Sequence, residues 1–145
     1  MNAASMFSRR ALAGLATALL ATGAAQAHEL TVHVLNARSA QGNVAGALYA
    51  DEAGWLQPGR IVQGQRAAAA TDKVVLVYRN LPSGSYAISL FHDENDNGKL
   101  DRNVVGSPLE RFGFSRDAMG RMAPPSFADA SIDLQADTTI TITLR

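Results

Sequence analysis

Val74-Val75-Leu76-Val77-Tyr78, the turn Asn80-Leu81-Pro82-Ser83-Gly84 and the run Ser85 to His92 read as two β-strands joined by a tight reversal. The first is a continuous β-branched and aromatic run, the pattern of a central strand buried on both sides. In the second, Tyr86, Ile88, Leu90 and His92 share one face while Ala87, Ser89 and Phe91 share the other. His92 therefore falls on the core side, at the exit of its strand.

Outward from this pair the same period recurs. Leu30, Val32 and Val34 alternate with Thr31 and His33, which gives a half-buried strand with His33 on its polar side. Asn43 to Ala50 is a second candidate, and Gln41-Gly42-Asn43 supplies a turn that would join the two as a hairpin. Residues 51–64 carry Gly54, Pro58 and Gly59 and read as loop, with Trp55 folded back on the sheet edge; Gln65 to Thr71 is alanine-rich and ambiguous. Ser131 to Leu134 and Thr138 to Leu144 close the chain, the last with Ile140, Ile142 and Leu144 opposite Thr139, Thr141 and Thr143. About seven short strands without a sustained helical period predict an all-β fold, a single antiparallel β-sandwich. One helical turn is expected at Arg116 to Met119, with Ser115 as N-cap and Gly120 closing it.

Residues 1–27 stand apart. Arg9-Arg10, the apolar stretch Ala11 to Ala21 and Ala25-Gln26-Ala27 form the three regions of a secretory signal peptide, which would be removed to leave a chain beginning at His28. Ser8-Arg9-Arg10 is only a partial twin-arginine pattern, so the general secretory route is expected, to the periplasm or beyond. The apolar stretch is about half the roughly 20 residues that span a bilayer, and no comparable one follows. The domain is expected over 28–145, with 93–127 as a long insertion. That remainder has 11 basic against 13 acidic residues, a net charge of −2, which argues against nucleic-acid or anionic-membrane partners. The chain has no cysteine, so its stability outside the cytoplasm cannot rest on disulfides.

The chemistry is concentrated after His92. In Asp93-Glu94-Asn95-Asp96-Asn97-Gly98-Lys99-Leu100-Asp101 the oxygen donors Asp93, Asn95 and Asn97 take the first, third and fifth places of a calcium loop. Gly98 allows the sixth-place turn, Lys99 offers a main-chain carbonyl and Asp101 stands ninth. This matches the first nine places of the EF-hand pattern. Val104 replaces the bidentate Glu of the twelfth place, so a Ca²⁺ site here would be weak, about 0.1–1 mM, with Glu110 able to fold back as a further ligand. The alternative is a metal-free turn, since Asp, Asn and Gly stabilise turns unaided.

Other constellations are sparser. An amino-terminal His28 would offer an amine and an imidazole to copper, with His33 or His92 as a second ligand. A hydrolase could be imagined from His92, Asp93 and Glu110 with Ser107 or Ser115, but no nucleophile elbow is present. Between Asp93 and Phe127 lie some 35 residues, beyond ordinary loop length. Their apolar content predicts an ordered excursion. Phe112, Phe114 and Phe127 would pin it to the sheet or present a surface together with His92 and Ser115.

His92-Asp93-Glu94-Asn95-x-Asn97-Gly98-Lys99-Leu100-Asp101, then Gly106-x-Pro108-x-Glu110-x-x-Gly113-Phe114-Ser115 and Pro124-Pro125-Ser126-Phe127, resemble an uncharacterised family of exported bacterial domains of unknown function. Leu81-Pro82-x-Gly84-x-Tyr86 is similar to a turn and strand of transthyretin-like and carboxypeptidase-regulatory-like sandwiches. These resemblances imply an immunoglobulin- or transthyretin-like sandwich with a structural or binding role and no known substrate. The expectation is thus an exported, non-catalytic module whose calcium loop orders a surface for a protein, small-molecule or glycan ligand. The alternatives are a histidine-centred copper protein or hydrolase, and a purely structural metal-free module.

Overall fold

The computed structural model describes residues 25–145; the signal-peptide expectation lies, for residues 1–24, outside the described residues. Over these residues the fold is nearly all β, with eight strands in two sheets. One sheet has the order β4-β1-β8, formed by Val74–Pro82, Ala27–Leu35 and Thr138–Thr143. The other has the order β3-β2-β5-β6, formed by Gln63–Ala68, Asn43–Tyr49, Gly84–Asp93 and Phe112–Phe114, and β7 (Ile132–Leu134) pairs with the start of β5.

The alternation of each strand decides which side chains meet. Leu30, Val32 and Val34 of β1 and Leu76 and Tyr78 of β4 face Val44 and Leu48 of β2 and Ile88 and Leu90 of β5 in one apolar core. Ile142 and Leu144 complete it from the far edge. Leu144 donates its N–H to Leu35 O, and Arg145 exchanges two main-chain hydrogen bonds with Phe112, so these two residues step from one sheet to the other.

Several expectations are corrected. β1 and β2 do not form a hairpin: they lie in different sheets, and β2 pairs with β3 and β5. The link between them turns through Asn36 and Gly42, both in the left-handed region (φ 70° and 68°), and carries the chain across the core instead of back along β1. The sheets are not wholly antiparallel, because β1 and β8 run parallel, from Leu30 opposite Thr138 to Leu35 opposite Thr143. Val74 to Tyr78 is an edge strand, not a central one. Its odd face is open, with Val75 42% exposed. The β-branched run reflects strand propensity there, not burial on both faces.

The ambiguous alanine-rich stretch is the edge strand β3, and the loop before it contains a 3-10 turn, Pro58–Arg60. The excursion after Asp93 is ordered as expected but not structureless. It contributes β6, a 3-10 turn at Ser115–Asp117 and the single helical turn α1, Phe127–Ala130. Ser115 caps no helix. Arg116 and Asp117 are left-handed, and the Ser115 side chain is used elsewhere.

Candidate functional site

β5 delivers His92 and Asp93 to the rim of the second sheet. β2 runs beside it, with Val44 opposite His92 and Asn43 opposite Asp93. Gly42 must be glycine here, because a Cβ at that position would lie 2.0 Å from the Asp93 carbonyl oxygen, in addition to its positive φ.

Asp93 is fully buried yet not isolated. Its Oδ1 accepts the Asn97 N–H (3.0 Å) and its Oδ2 accepts the Gly98 N–H (2.8 Å) and Arg66 Nη2 (2.8 Å). The carboxylate therefore folds the turn over itself and is neutralised from β3, the arrangement that lets a buried charge persist. Arg66 also bonds Asp96 Oδ1 (2.5 Å), which takes Asn43 Nδ2 as well (2.9 Å).

The remaining donors gather on Asp101. Asn95 Nδ2 and Asn97 Nδ2 donate to its two oxygens at 2.6 and 2.8 Å, while Asn97 Oδ1 accepts the Lys99 N–H at 2.9 Å. Glu110 folds back onto the turn, as the sequence suggested, but toward main-chain groups: its oxygens accept the N–H of Glu94 (2.9 Å) and Asp101 (3.0 Å). Arg38 Nη1 stands 3.0 Å from Glu94 Oε1, an ion pair without hydrogen-bond geometry. Among the described residues no three His, Cys, Asp or Glu side chains converge as a metal-holding group, so any cation site here must draw on the asparagines and the main chain.

His92 is fully buried. Its Nδ1 accepts the Arg38 N–H (3.2 Å) and its Nε2 lies 2.7 Å from the Gln41 carbonyl. A carbonyl only accepts, so the proton sits on Nε2, and the ring is a brace for the 36–42 link. Ser115 has separate partners: its Oγ accepts the Ile88 N–H (2.9 Å) and donates to the Ala130 carbonyl (2.5 Å). With its two ring nitrogens so engaged, His92 has no serine partner here. His28 bonds Ser83 at the start of β1, whereas His92 ends β5 and the two lie on different sheets.

Phe112, Phe114 and Phe127 act together as a pin. Trp55 packs against Phe114 and Phe127 with centroids 5.9 and 6.0 Å away and against Tyr49 at 5.2 Å, and its Nε1 donates to the Pro125 carbonyl (2.9 Å). Phe112 and Phe114 stack edge to face at 5.9 Å. This cluster, with Ala87 and Ala130, covers one half of the outer face of the second sheet.

The other half is open. Ala45, Ala47, Gly64, Ser89 and Phe91 floor a shallow groove of about 460 Å³, with Ile61 on its rim and Arg66 and Gly98 at its acidic-turn end. Arg66 thus belongs to both features. Sequence reasoning missed it, together with Arg38 and the groove. The one usable signal was a lone cation in the alanine-rich stretch Gln65 to Thr71, facing an acidic turn with only Lys99 inside it.

Two β-sheets around one apolar core, with a buried carboxylate folding an acidic turn at the rim, define a β-rich protein with its polar machinery at one end. The chain belongs to the family described as "Uncharacterized protein conserved in bacteria (DUF2141)", whose model matches residues 32–142. No curated protein and no solved structure matches it.

Proposed function

We propose that this chain is an exported, non-catalytic binding module: a β-sandwich of the transthyretin-like kind whose turn 93–101 takes Ca²⁺ weakly and thereby fixes the acidic-turn end of a ligand groove. The observation that carries the reading is the gathering of positions one, three, five and nine of the turn. Asn95 and Asn97 both reach Asp101, and the Asn97 N–H reaches Asp93 Oδ1. A calcium ion would draw on Asp93 Oδ1, the Asn95 and Asn97 amide oxygens, the Lys99 carbonyl and Asp101, all hard oxygen donors. Asp93 Oδ2 would stay with Arg66, and Glu110 would stay on the main chain of the turn.

The groove supports a binding role because it is concave, mostly apolar and of a volume in the usual range for small ligands, roughly 300–1,000 Å³. Ser89 and Gln65 give it a few polar groups among small side chains, which suits a flat neutral ligand such as a sugar ring. Export follows from the three-part pattern of residues 1–27.

Thermal melts in millimolar calcium and in chelator test the cation. The wild type melts higher with calcium, and Asp101→Ala melts at the same temperature in both, since the Asp101 carboxylate bonds only to the two asparagine amides and its loss leaves the main-chain bond to Glu110 in place. A wild type indifferent to calcium overturns the reading.

A second reading rests on one observation of its own: Arg66 already lies on Asp93 and Asp96. In that reading the guanidinium is the turn's permanent cation and the module is metal-free. The same melts separate the two.

A further inference from the structure

The segment Arg102 to Leu109 is a closed hairpin tip standing on the acidic turn. Leu109 donates its N–H to Asp101 O (2.8 Å), Asn103 donates to Ser107 O (2.9 Å), Gly106 donates to Asn103 O (2.9 Å), and Arg102 bridges Pro108. The Asn103 side chain locks the reversal by accepting the Val105 and Ser107 N–H groups at 3.1 and 2.9 Å. Its base is fixed by Glu110 on the Asp101 N–H. At the apex of this ordered tip Val104 and Val105 are 104% and 80% exposed, and Leu109, at its base, is 54% exposed. Two adjacent β-branched residues are thus held out in water by an ordered hairpin, and apolar groups presented together in this way offer a contact surface.

Charge narrows the occupant. Arg102 is the sole ionisable group from 102 to 109; it is exposed, and its Nη1 bonds the Gly106 carbonyl (2.9 Å), so the cation is held against the tip itself. The neighbouring acids are engaged in the turn, Asp101 by the asparagine amides and Glu110 by the part-buried N–H groups of Glu94 and Asp101. An apolar apex over a single cation complements a phospholipid headgroup layer: hydrocarbon below, phosphate at the level of the guanidinium. Size agrees. Three to four extended residues reach about 10 Å, matching the depth of roughly 5–10 Å at which interfacial segments bury. A protein partner would need about 800 Å² on each side, more than a tip this narrow presents. The net charge of −2 over residues 28–145 opposes an anionic surface, and Asp101 and Glu110 lie close to the tip, so the contact rests on Arg102 and the apolar apex and not on the field of the whole domain.

We propose that this tip is a membrane-docking finger, which seats Val104 and Val105 in the interface of a phospholipid bilayer with Arg102 on the lipid phosphates. It does not depend on calcium in the adjoining turn. Because the chain has no cysteine, Val105→Cys carries an environment-sensitive dye at one position only. With the full chain, vesicles of phosphatidylglycerol and phosphatidylethanolamine, and chelator present, the dye shifts to the blue and is quenched by a quencher in the lipid tails. The same dye at Thr139→Cys, exposed on β8, stays aqueous even if residues 1–24 bring the chain to the vesicle. Val104→Asp keeps the dye at 105 in water, and Arg102→Gln lowers the shifted fraction about fivefold on anionic vesicles. A dye at 105 that stays aqueous, or shifts equally at 139, or ignores Val104→Asp, overturns the proposal.

Discussion

Arg66 Nη2 stands 2.8 Å from Asp93 Oδ2, an ion pair in which the carboxylate is fully buried and the guanidinium is 42% exposed. It joins the edge strand β3 to the first residue of the acidic turn, and the groove ends on the same guanidinium. The pair therefore ties the turn to the sheet.

Removing Arg66 leaves a buried carboxylate with two main-chain donors and no counter-charge. Arg66→Met is expected to lower stability by about 1–2 kcal/mol, less than the roughly 3–5 of a fully buried pair because water reaches the exposed side. Urea unfolding at neutral pH measures it. Asp93→Ala costs more, since it also strands the Asn97 and Gly98 N–H groups. It is a poor probe of calcium for the same reason, and Asp101 is the better one.

Glu110 spans the turn through two acceptors, one on Glu94 N and one on Asp101 N. Glu110→Gln retains a single acceptor oxygen, so it loses about half of what Glu110→Ala loses. The full loss is roughly 2–3 kcal/mol for hydrogen bonds to a charged group. Chemical denaturation of the two variants gives the ratio, and equal losses would show that only one of the two contacts matters.

Ser115 joins the Ile88 N–H of β5 to the Ala130 carbonyl of α1 and is fully buried. Ser115→Ala strands both groups and is expected to cost about 2–3 kcal/mol. Hydrogen exchange at the Ile88 amide should accelerate in step with the measured loss.

Strand periods place His92 on the core side, and the one-three-five-nine spacing finds the turn, because each is a local pattern; Trp55, expected at the sheet edge from its loop, packs instead on Tyr49, Phe114 and Phe127. Pairing is not local. Nothing in the alternation of Leu30 to Val34 distinguishes a hairpin partner at Asn43 from a parallel partner at Thr138, and only the closed core decides between them. Ser115 looked like a helix cap because serine accepts N–H groups; it does accept one, but from a strand 27 residues away. Arg66 was invisible because its meaning depends on β3 pairing with β2 so that it faces Asp93 across the rim.

Tyr78 and Gly46 give a test inside the core. The Tyr78 hydroxyl is buried without a hydrogen-bond partner, and a Cβ on Gly46 would meet it at 2.5 Å. Gly46→Ala should destabilise by about 1–3 kcal/mol through overpacking. Tyr78→Phe removes the orphaned hydroxyl and should raise stability by about 1 kcal/mol. Part of the Gly46→Ala loss should vanish in the double variant, a coupling that a mutant cycle reads directly. Burial also pushes the Tyr78 hydroxyl pKa above its ordinary value. Above about pH 10 the unfolded chain releases this proton while the folded one keeps it, so stability present below that pH is lost as pH rises. Tyr78→Phe should flatten that alkaline decline.

A high-resolution crystal structure grown in millimolar calcium tests most directly the proposal that the turn 93–101 takes the ion. The predicted result is an ion with oxygen ligands at about 2.3–2.6 Å from Asp93, Asn95, Asn97, the Lys99 carbonyl and Asp101, with the Asn95 and Asn97 amides turned so that oxygen and not nitrogen faces inward. A turn without an ion, in which both amides still donate to Asp101 and Arg66 remains the sole cation on Asp93, would contradict it.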